Sequence, residues 1–296
     1  MSIVRGFFSG IFSSILIIVL VILGIIITLN STILNPDFVI SEIDKLDVYS
    51  VATQELEAQL PQDEPYMTQA LTETIDDLEP WLEDQLDTAI YAAYDYINGG
   101  QELKLVISLE PVRSSLKENI RGAILESPPP ELAGASASEI EAFLAEAYAE
   151  IDSQIPQEFE LSESSLPPEI VDQLQQVREI ISYVELGYKA SIGLAVLLLL
   201  SIALIHWWRA KPISRSVGIA FAISGFISYL STLSADYLTS QVTQVDIPIE
   251  LQTRLPQLVD DLIAPLQIYG ICFLAAGIGL IVLSFVLKSA DEADMA

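Results

Sequence analysis

The chain has 296 residues with 41 acidic and 13 basic side chains, a formal net charge of -28, yet its mean hydropathy is +0.47. A single water-soluble domain rarely combines those two properties, so apolar and acidic residues must be segregated along the chain. With one histidine and one cysteine, an intramolecular disulfide cannot form, further His and Cys for a zinc site are missing, and Cys272, deep in an apolar stretch, is poorly placed for a Cys-His nucleophile.

The segregation is visible directly. Apolar runs lie at Phe7 to Leu29, Ile192 to Trp208, Val217 to Leu233 and Leu266 to Leu287, and none contains Asp, Glu, Lys or Arg. Each has about the length a helix needs to cross a hydrocarbon layer roughly 30 Å thick. The first run follows Arg5 as a secretory signal would, but it is too long and lacks a small-residue cleavage site, so it reads as an uncleaved anchor. Asn30-Ser31-Thr32 matches a glycosylation sequon, which its place against the membrane makes a chance match.

Pro36-Asp37 opens a helical pattern through Leu46, Tyr49, Ala52, Leu56 and Leu60, which Pro61 ends. A second apolar stripe runs through Leu71, Ile75, Leu78, Leu82, Leu86, Ala93 and Ile97, with Pro80 as a bend and Asn98-Gly99-Gly100 as a stop. Leu103, Leu105, Ile107 and Leu109 then alternate with their neighbours as in a half-buried strand. Pro111 starts another helix with Val112, Leu116, Ile120 and Ile124 on one face.

Beyond the stiff Pro128-Pro129-Pro130, Ser138 and Glu141 have capping-box spacing before Ile140, Phe143, Leu144, Ala147, Ile151 and Ile155. Phe159 and Leu161 are expected to form a short strand pairing with the first, which needs helices to cover it. From Pro168 the positions Ile170, Leu174, Val177, Ile181, Val184 and Tyr188 follow heptad spacing without a break into the second apolar run. This is a stalk that either dimerises or packs on its own domain. Between the third and fourth runs, Asp246-Ile247-Pro248-Ile249 precedes Leu255, Leu258 and Leu262, a helix leading into the last run and expected beside the stalk.

Orientation follows from Lys and Arg near the apolar runs. Trp207-Trp208-Arg209-Ala210-Lys211-Pro212-Ile213-Ser214-Arg215 holds three bases and no acid, and Arg5 and Lys288 flank the same side. Between Asn30 and Ala190, 33 acids face 7 bases. The expected class is therefore mainly α, a four-helix transmembrane bundle with a large extracytoplasmic helical domain carrying at most a small two-stranded β element. Residues 1–6, 209–215 and 288–296 are cytoplasmic in this reading; 7–29, 191–208, 216–233 and 266–287 span a cell membrane; 30–190 and 234–265 lie outside.

The chemistry-bearing residues are few. His206, beside Trp207 and Trp208 at a membrane edge, reads as an interfacial anchor with no catalytic partner. The runs carry no ionisable group of the kind coupled carriers place in the membrane. Phosphate-binding glycine loops, Gly-x-Ser-x-Gly elbows and His-Glu-x-x-His are absent from the sequence. Asp76, Glu79, Glu83 and Asp87, with Asp77 and Asp84 beside them, form a carboxylate face that reads as solvated, since a regular helix rarely converges six oxygens on one calcium ion. Small residues recur at Gly6-x-x-x-Gly10, Gly218-x-x-x-Ala222, Ala220-x-x-x-Ser224 and Ala275-x-x-x-Gly279, spacings that permit close helix crossing.

The stretches Leu34-Asn35-Pro36-Asp37-Phe38-Val39, Ile97-Asn98-Gly99-Gly100 and Ile107-Ser108-Leu109-Glu110-Pro111 sit in an arrangement that resembles a family of uncharacterised prokaryotic multi-span membrane proteins with a large extracytoplasmic loop. The resemblance covers the plan of most of the chain and implies no activity and no functional residue. The expected function is a non-enzymatic envelope adaptor or signal-conducting subunit in membrane lipid, with a protein partner or a second copy. Nucleic acid is not expected, because the acidic domain repels polyanions, and a specific small molecule, a metal and a cofactor are not expected because the sequence carries no motif for one. The other readings are an oligomeric channel or transport accessory, and a carboxylate-dependent hydrolase using Glu83 and Asp87.

Overall fold

The computed structural model describes residues 2–58, 60, 65–100, 102–233 and 249–287. The helix stop at Pro61, the loop residues Asp246 to Pro248 and the terminal segment 288–296 lie outside the described residues. The chain is mainly helical, with one two-stranded sheet, and divides into two compact units. One comprises Met1–Leu46 and Glu179–Ala296, the other Asp47–Arg178.

The first unit contains α1 (Ser2–Ser31), α2 (Pro36–Leu46), most of α7 (Pro168–Ile205), α8 (Ala210–Thr232) and α9 (Ile249–Val286). Helices α1, α7, α8 and α9 are each long and apolar enough to cross a membrane. Their shared core is Leu16, Val19 and Leu20 of α1, Ala195, Leu198 and Ile202 of α7, and Val217 and Ala220 of α8. The outward positions are equally apolar: Ile18, Leu197, Phe226, Ile268 and Phe285 are exposed. That pattern is costly in water and suits lipid.

Helices α8 and α9 meet main chain to main chain. A Cβ at Gly225 would strike the backbone of Gly270, Phe273 and Leu274, and one at Gly277 would strike Ala222 and the Gly218 carbonyl. At Gly218 it would stand 2.9 Å from the Gly277 carbonyl oxygen, and at Gly270 2.8 Å from the Tyr229 nitrogen. The contact therefore uses glycines seven residues apart on both helices. Of the small-residue spacings read from sequence, Gly218 and Ala222 lie in this seam, whereas Gly6, Gly10 and Gly279 have open space where a Cβ would stand.

A second tie crosses the bundle at Gly24, where a Cβ would lie 2.6 Å from the Tyr269 ring. The missing side chain admits that ring, whose hydroxyl donates to the Leu20 carbonyl at 2.8 Å in a buried position. Tyr269 stacks on Phe273 with centroids 4.3 Å apart, and Phe273 lies 4.9 Å from Phe221. Aromatic packing and one satisfied hydroxyl thus join α1, α8 and α9.

The helix expected beside the stalk takes its polar contacts from α2 instead. Lys45 Nζ donates to Asp261 at 2.8 Å and to the buried Glu42 at 2.7 Å, and Arg254 donates to the Lys45 carbonyl at 3.0 Å. The two carboxylates hold the Lys45 ammonium above its ordinary pKa, Asp261 first and Glu42 second. The charge pattern of two acids and one base explains this docking better than apolar spacing did.

The second unit is built from α3 (Val48–Ala58), α4 (Pro65–Ile97), β1 (Lys104–Ser108), α5 (Glu110–Glu126), α6 (Ala137–Gln154) and β2 (Glu158–Ser162). The single helix expected from Pro36 to Leu60 is two, because Asp47 adopts φ +54 between α2 and α3. Aspartate tolerates this left-handed conformation better than most residues. Here Ser50 Oγ donates to its carboxylate at 2.5 Å.

Helix α4 passes through Pro80 without ending and stops at Asn98, with Gly99 at φ +106 as the sequence required. Its buried line runs through Ala70, Thr74 and Leu78, one position from the expected Leu71 and Ile75. The small residues allow a close approach to α5, where Asn119 donates to Thr74 Oγ1 at 3.2 Å and to Asp77 at 2.9 Å. The strands pair antiparallel with Ile107 opposite Phe159 and Leu105 opposite Leu161, as expected.

The core of this unit is Ala70, Ile120, Ala123, Ile124, Leu132, Leu144 and Ile151. The capping box of α6 falls on Ser136 and Glu139, two residues before the expected pair. Glu139 accepts from the Ser136 nitrogen at 2.7 Å and from its hydroxyl at 2.8 Å, which holds its pKa below the ordinary value, the backbone bond first. Both serines carry a glutamate three residues on, so spacing alone did not separate them.

Candidate functional site

Polar side chains from different helices converge in each unit. In the first, helix α7 ends at Ile205, and His206, Trp207 and Trp208 form the turn that follows it. Trp207 and Trp208 take φ of +52 and +58, and the Trp208 nitrogen returns to the Ala203 carbonyl at 3.0 Å. This closes the helix with a left-handed cap of the kind glycine usually provides. Holding two bulky residues there costs of order 1–3 kcal/mol each. The turn leaves both indoles exposed and aims His206 back between the helices.

His206 Nε2 lies 3.0 Å from the hydroxyl of Ser9 on α1 and 3.4 Å from that of Ser216 on α8, and the two hydroxyls are 3.3 Å apart. Ser9 is buried. The three groups close a triangle on one flank of a cavity of about 480 Å³, lined also by Gly10, Ser13, Arg215 and Ile223. Three polar atoms share the hydrogens of two hydroxyls and one imidazole. With the imidazole proton on Nε2, one hydroxyl hydrogen remains to point into the cavity.

As general-base machinery the triangle lacks its third member. Among the described lining residues there is no carboxylate, so the cavity wall itself does not supply the acid of a Ser-His-carboxylate set. What the cavity offers is donors: hydroxyls, an imidazole and the Arg215 guanidinium.

In the second unit, the charged cluster is structural. Arg113 bonds Asp152 and, at 3.1 Å, Glu110, while Lys117 Nζ reaches Asp152 at 2.5 Å. Lys117 and then Arg113 hold the Asp152 carboxyl below the ordinary aspartate range. Tyr148 donates to the Lys117 carbonyl at 3.2 Å, completing the clasp of α5 to α6.

The expected carboxylate face lies on α4. Asp76, Asp77, Glu79 and Glu83 are exposed and Asp87 is half-buried; Asp77 accepts from Asn119 of α5 and, at 3.3 Å, from Ser115. Among the described residues no group of three metal-ligating side chains converges. A second cavity of about 480 Å³ is lined by Glu102, Leu103, Ser162, Glu163, Ser164 and Val171. At Tyr96, buried in the same unit, the hydrogen bond to Glu163 holds the phenol above its ordinary pKa, with burial adding to the shift. Cys272, the lone thiol, is exposed on α9.

The sequence singled out His206 but neither of its hydroxyl partners. The readable signal was the pairing of Ser9 with Ser13 at a four-residue step inside the first apolar run, and Ser216 directly before the third. Compared with protein-family models, with curated proteins and with solved structures, the chain matches none of them.

Proposed function

We propose that this chain is a non-enzymatic adaptor of a cell membrane. In this reading its four apolar helices anchor it with both termini in the cytoplasm, and the acidic unit outside binds a protein partner. The observation that carries the reading is the backbone contact of α8 on α9 through Gly218, Gly225, Gly270 and Gly277. Helices in main-chain contact leave no room for a lumen between them, and the four apolar runs contain no Asp, Glu, Lys or Arg to relay charge. This favours an anchor over a conduit.

The acidic unit supports the partner-binding half. It has its own core, and its α4 carboxylates Asp76, Glu79 and Glu83 face solvent. Charge of one sign steers a partner of the other. A cationic face on another envelope protein is the matching chemistry.

The test is brief crosslinking in native membranes, followed by mass and composition of the complex in mild detergent. A second protein in fixed ratio, crosslinked within 37–185, is the expected result. A homo-oligomer without partner that conducts ions in liposomes would overturn it in favour of a channel.

A further inference from the structure

The cavity beside His206 has the dimensions and polarity of a lipid site. Helices α1 and α8 both begin at this end of the bundle, and the lining descends α1 through Gly6, Ser9, Ser13 and Ile17 and α8 through Pro212, Arg215, Ile219 and Ile223. At 1.5 Å per residue each side is roughly 16 Å deep. That matches about half the ~30 Å hydrocarbon thickness, the depth of one leaflet.

The groove changes character along this length. At its mouth stand His206, Arg215, Ser9 and Ser216, and its inner end is walled by Ile17, Ile219 and Ile223. Gly10, midway, meets nothing where a Cβ would stand, so the floor is open to an occupant. Two helix N-termini, of 30 and 23 residues, turn their positive ends toward the mouth beside the Arg215 guanidinium. No carboxylate stands among the described lining residues to neutralise them.

We infer that this groove holds one anionic phospholipid, its phosphate at Arg215, Ser9 and Ser216 and one acyl chain along Gly10, Ser13, Ile17 and Ile223. Positive charge and hydroxyl donors select an anionic head, and basic pockets between membrane helices are built for such heads. The apolar floor selects an amphiphile over a free anion. His206 positions the two hydroxyls.

The full chain, delipidated in mild detergent, is titrated with phosphatidylglycerol, phosphatidylcholine or inorganic phosphate and read by native mass spectrometry. One phosphatidylglycerol is expected to remain bound at concentrations at least tenfold below those needed for phosphatidylcholine, and phosphate is expected not to displace it. Arg215→Gln should weaken phosphatidylglycerol at least tenfold and abolish the preference over phosphatidylcholine. Gly10→Leu should block both lipids, at a position where its Cβ strikes nothing, with an unchanged thermal transition as the check on folding. Equal retention of the two lipids, displacement by phosphate, wild-type binding in both variants, or a second copy of the chain in place of the lipid would each overturn the assignment.

Discussion

Gly225 and Gly277 stand where any side chain would enter the neighbouring backbone, and Gly279, two residues beyond Gly277, meets nothing. Gly225→Leu should therefore destabilise the bundle by about 1–3 kcal/mol or more through overpacking, while Gly279→Ala should stay within about 0.5 kcal/mol of wild type. Thermal unfolding in detergent distinguishes them. Tyr269→Phe keeps the stacked ring and removes only the bond to the Leu20 carbonyl, a loss of about 0.5–1.5 kcal/mol in the same measurement. The glycine pairs were present in the sequence, but the four-residue spacing usually sought in membrane helices picks out Gly218 with Ala222, in the seam, equally with Gly6 and Gly10, outside it. The seven-residue pairs that close the bundle stood unread beside them.

Asp152 gives the acidic unit a signed pH response. Its carboxyl is held down by Lys117 and Arg113, so its contribution is present above the unfolded aspartate value of about 3.9 and fades as pH falls through the lower folded value. Amide exchange in α5 and α6, followed from pH 6 to pH 2, should show this loss in the wild type and a flatter dependence in Asp152→Asn. Lys45 has the opposite sign. Its raised pKa holds α2 to α9 below the ordinary lysine value and releases it as pH rises beyond the folded one.

Among the elements, periodicity located helices and strands well and their partners poorly. The strand alternation at Leu105 and Ile107 gave both the pairing and its buried face, because a period of two admits only two faces. The α4 stripe was displaced by one residue because Ala70 and Thr74 carry little hydrophobic weight and yet permit the closest approach to α5. The break at Asp47 was invisible to apolar spacing, since a left-handed residue interrupts the helix without changing composition. Packing of Ile124, buried in the α4–α5–α6 core, should dominate the stability of that unit. Ile124→Ala is expected to cost about 2–5 kcal/mol, read by denaturant unfolding of the full chain.

The turn from α7 to α8 shows why the cavity was not legible. His206 could be assigned to a membrane edge by its tryptophan neighbours, but its direction depends on two tryptophans in left-handed conformations, which no spacing rule predicts. Its partners Ser9 and Ser216 lie 197 and 10 residues away along the chain. Their convergence follows from α1 and α8 starting at the same end of the bundle.

For the whole molecule, the segregation of charge and apolarity was fully readable, and it yields four helices fit for a bilayer. The acidic unit and the basic turn Arg209 to Arg215 should then lie on opposite faces of the membrane. The most direct test uses the lone thiol. In a Cys272→Ser background, single cysteines at Ser153 in α6 and at Ala210 in α8 are exposed to a membrane-impermeant maleimide in intact cells. The account predicts labelling at Ser153→Cys at once and at Ala210→Cys only after permeabilisation. Labelling of both before permeabilisation, or of Ala210→Cys alone, would contradict it.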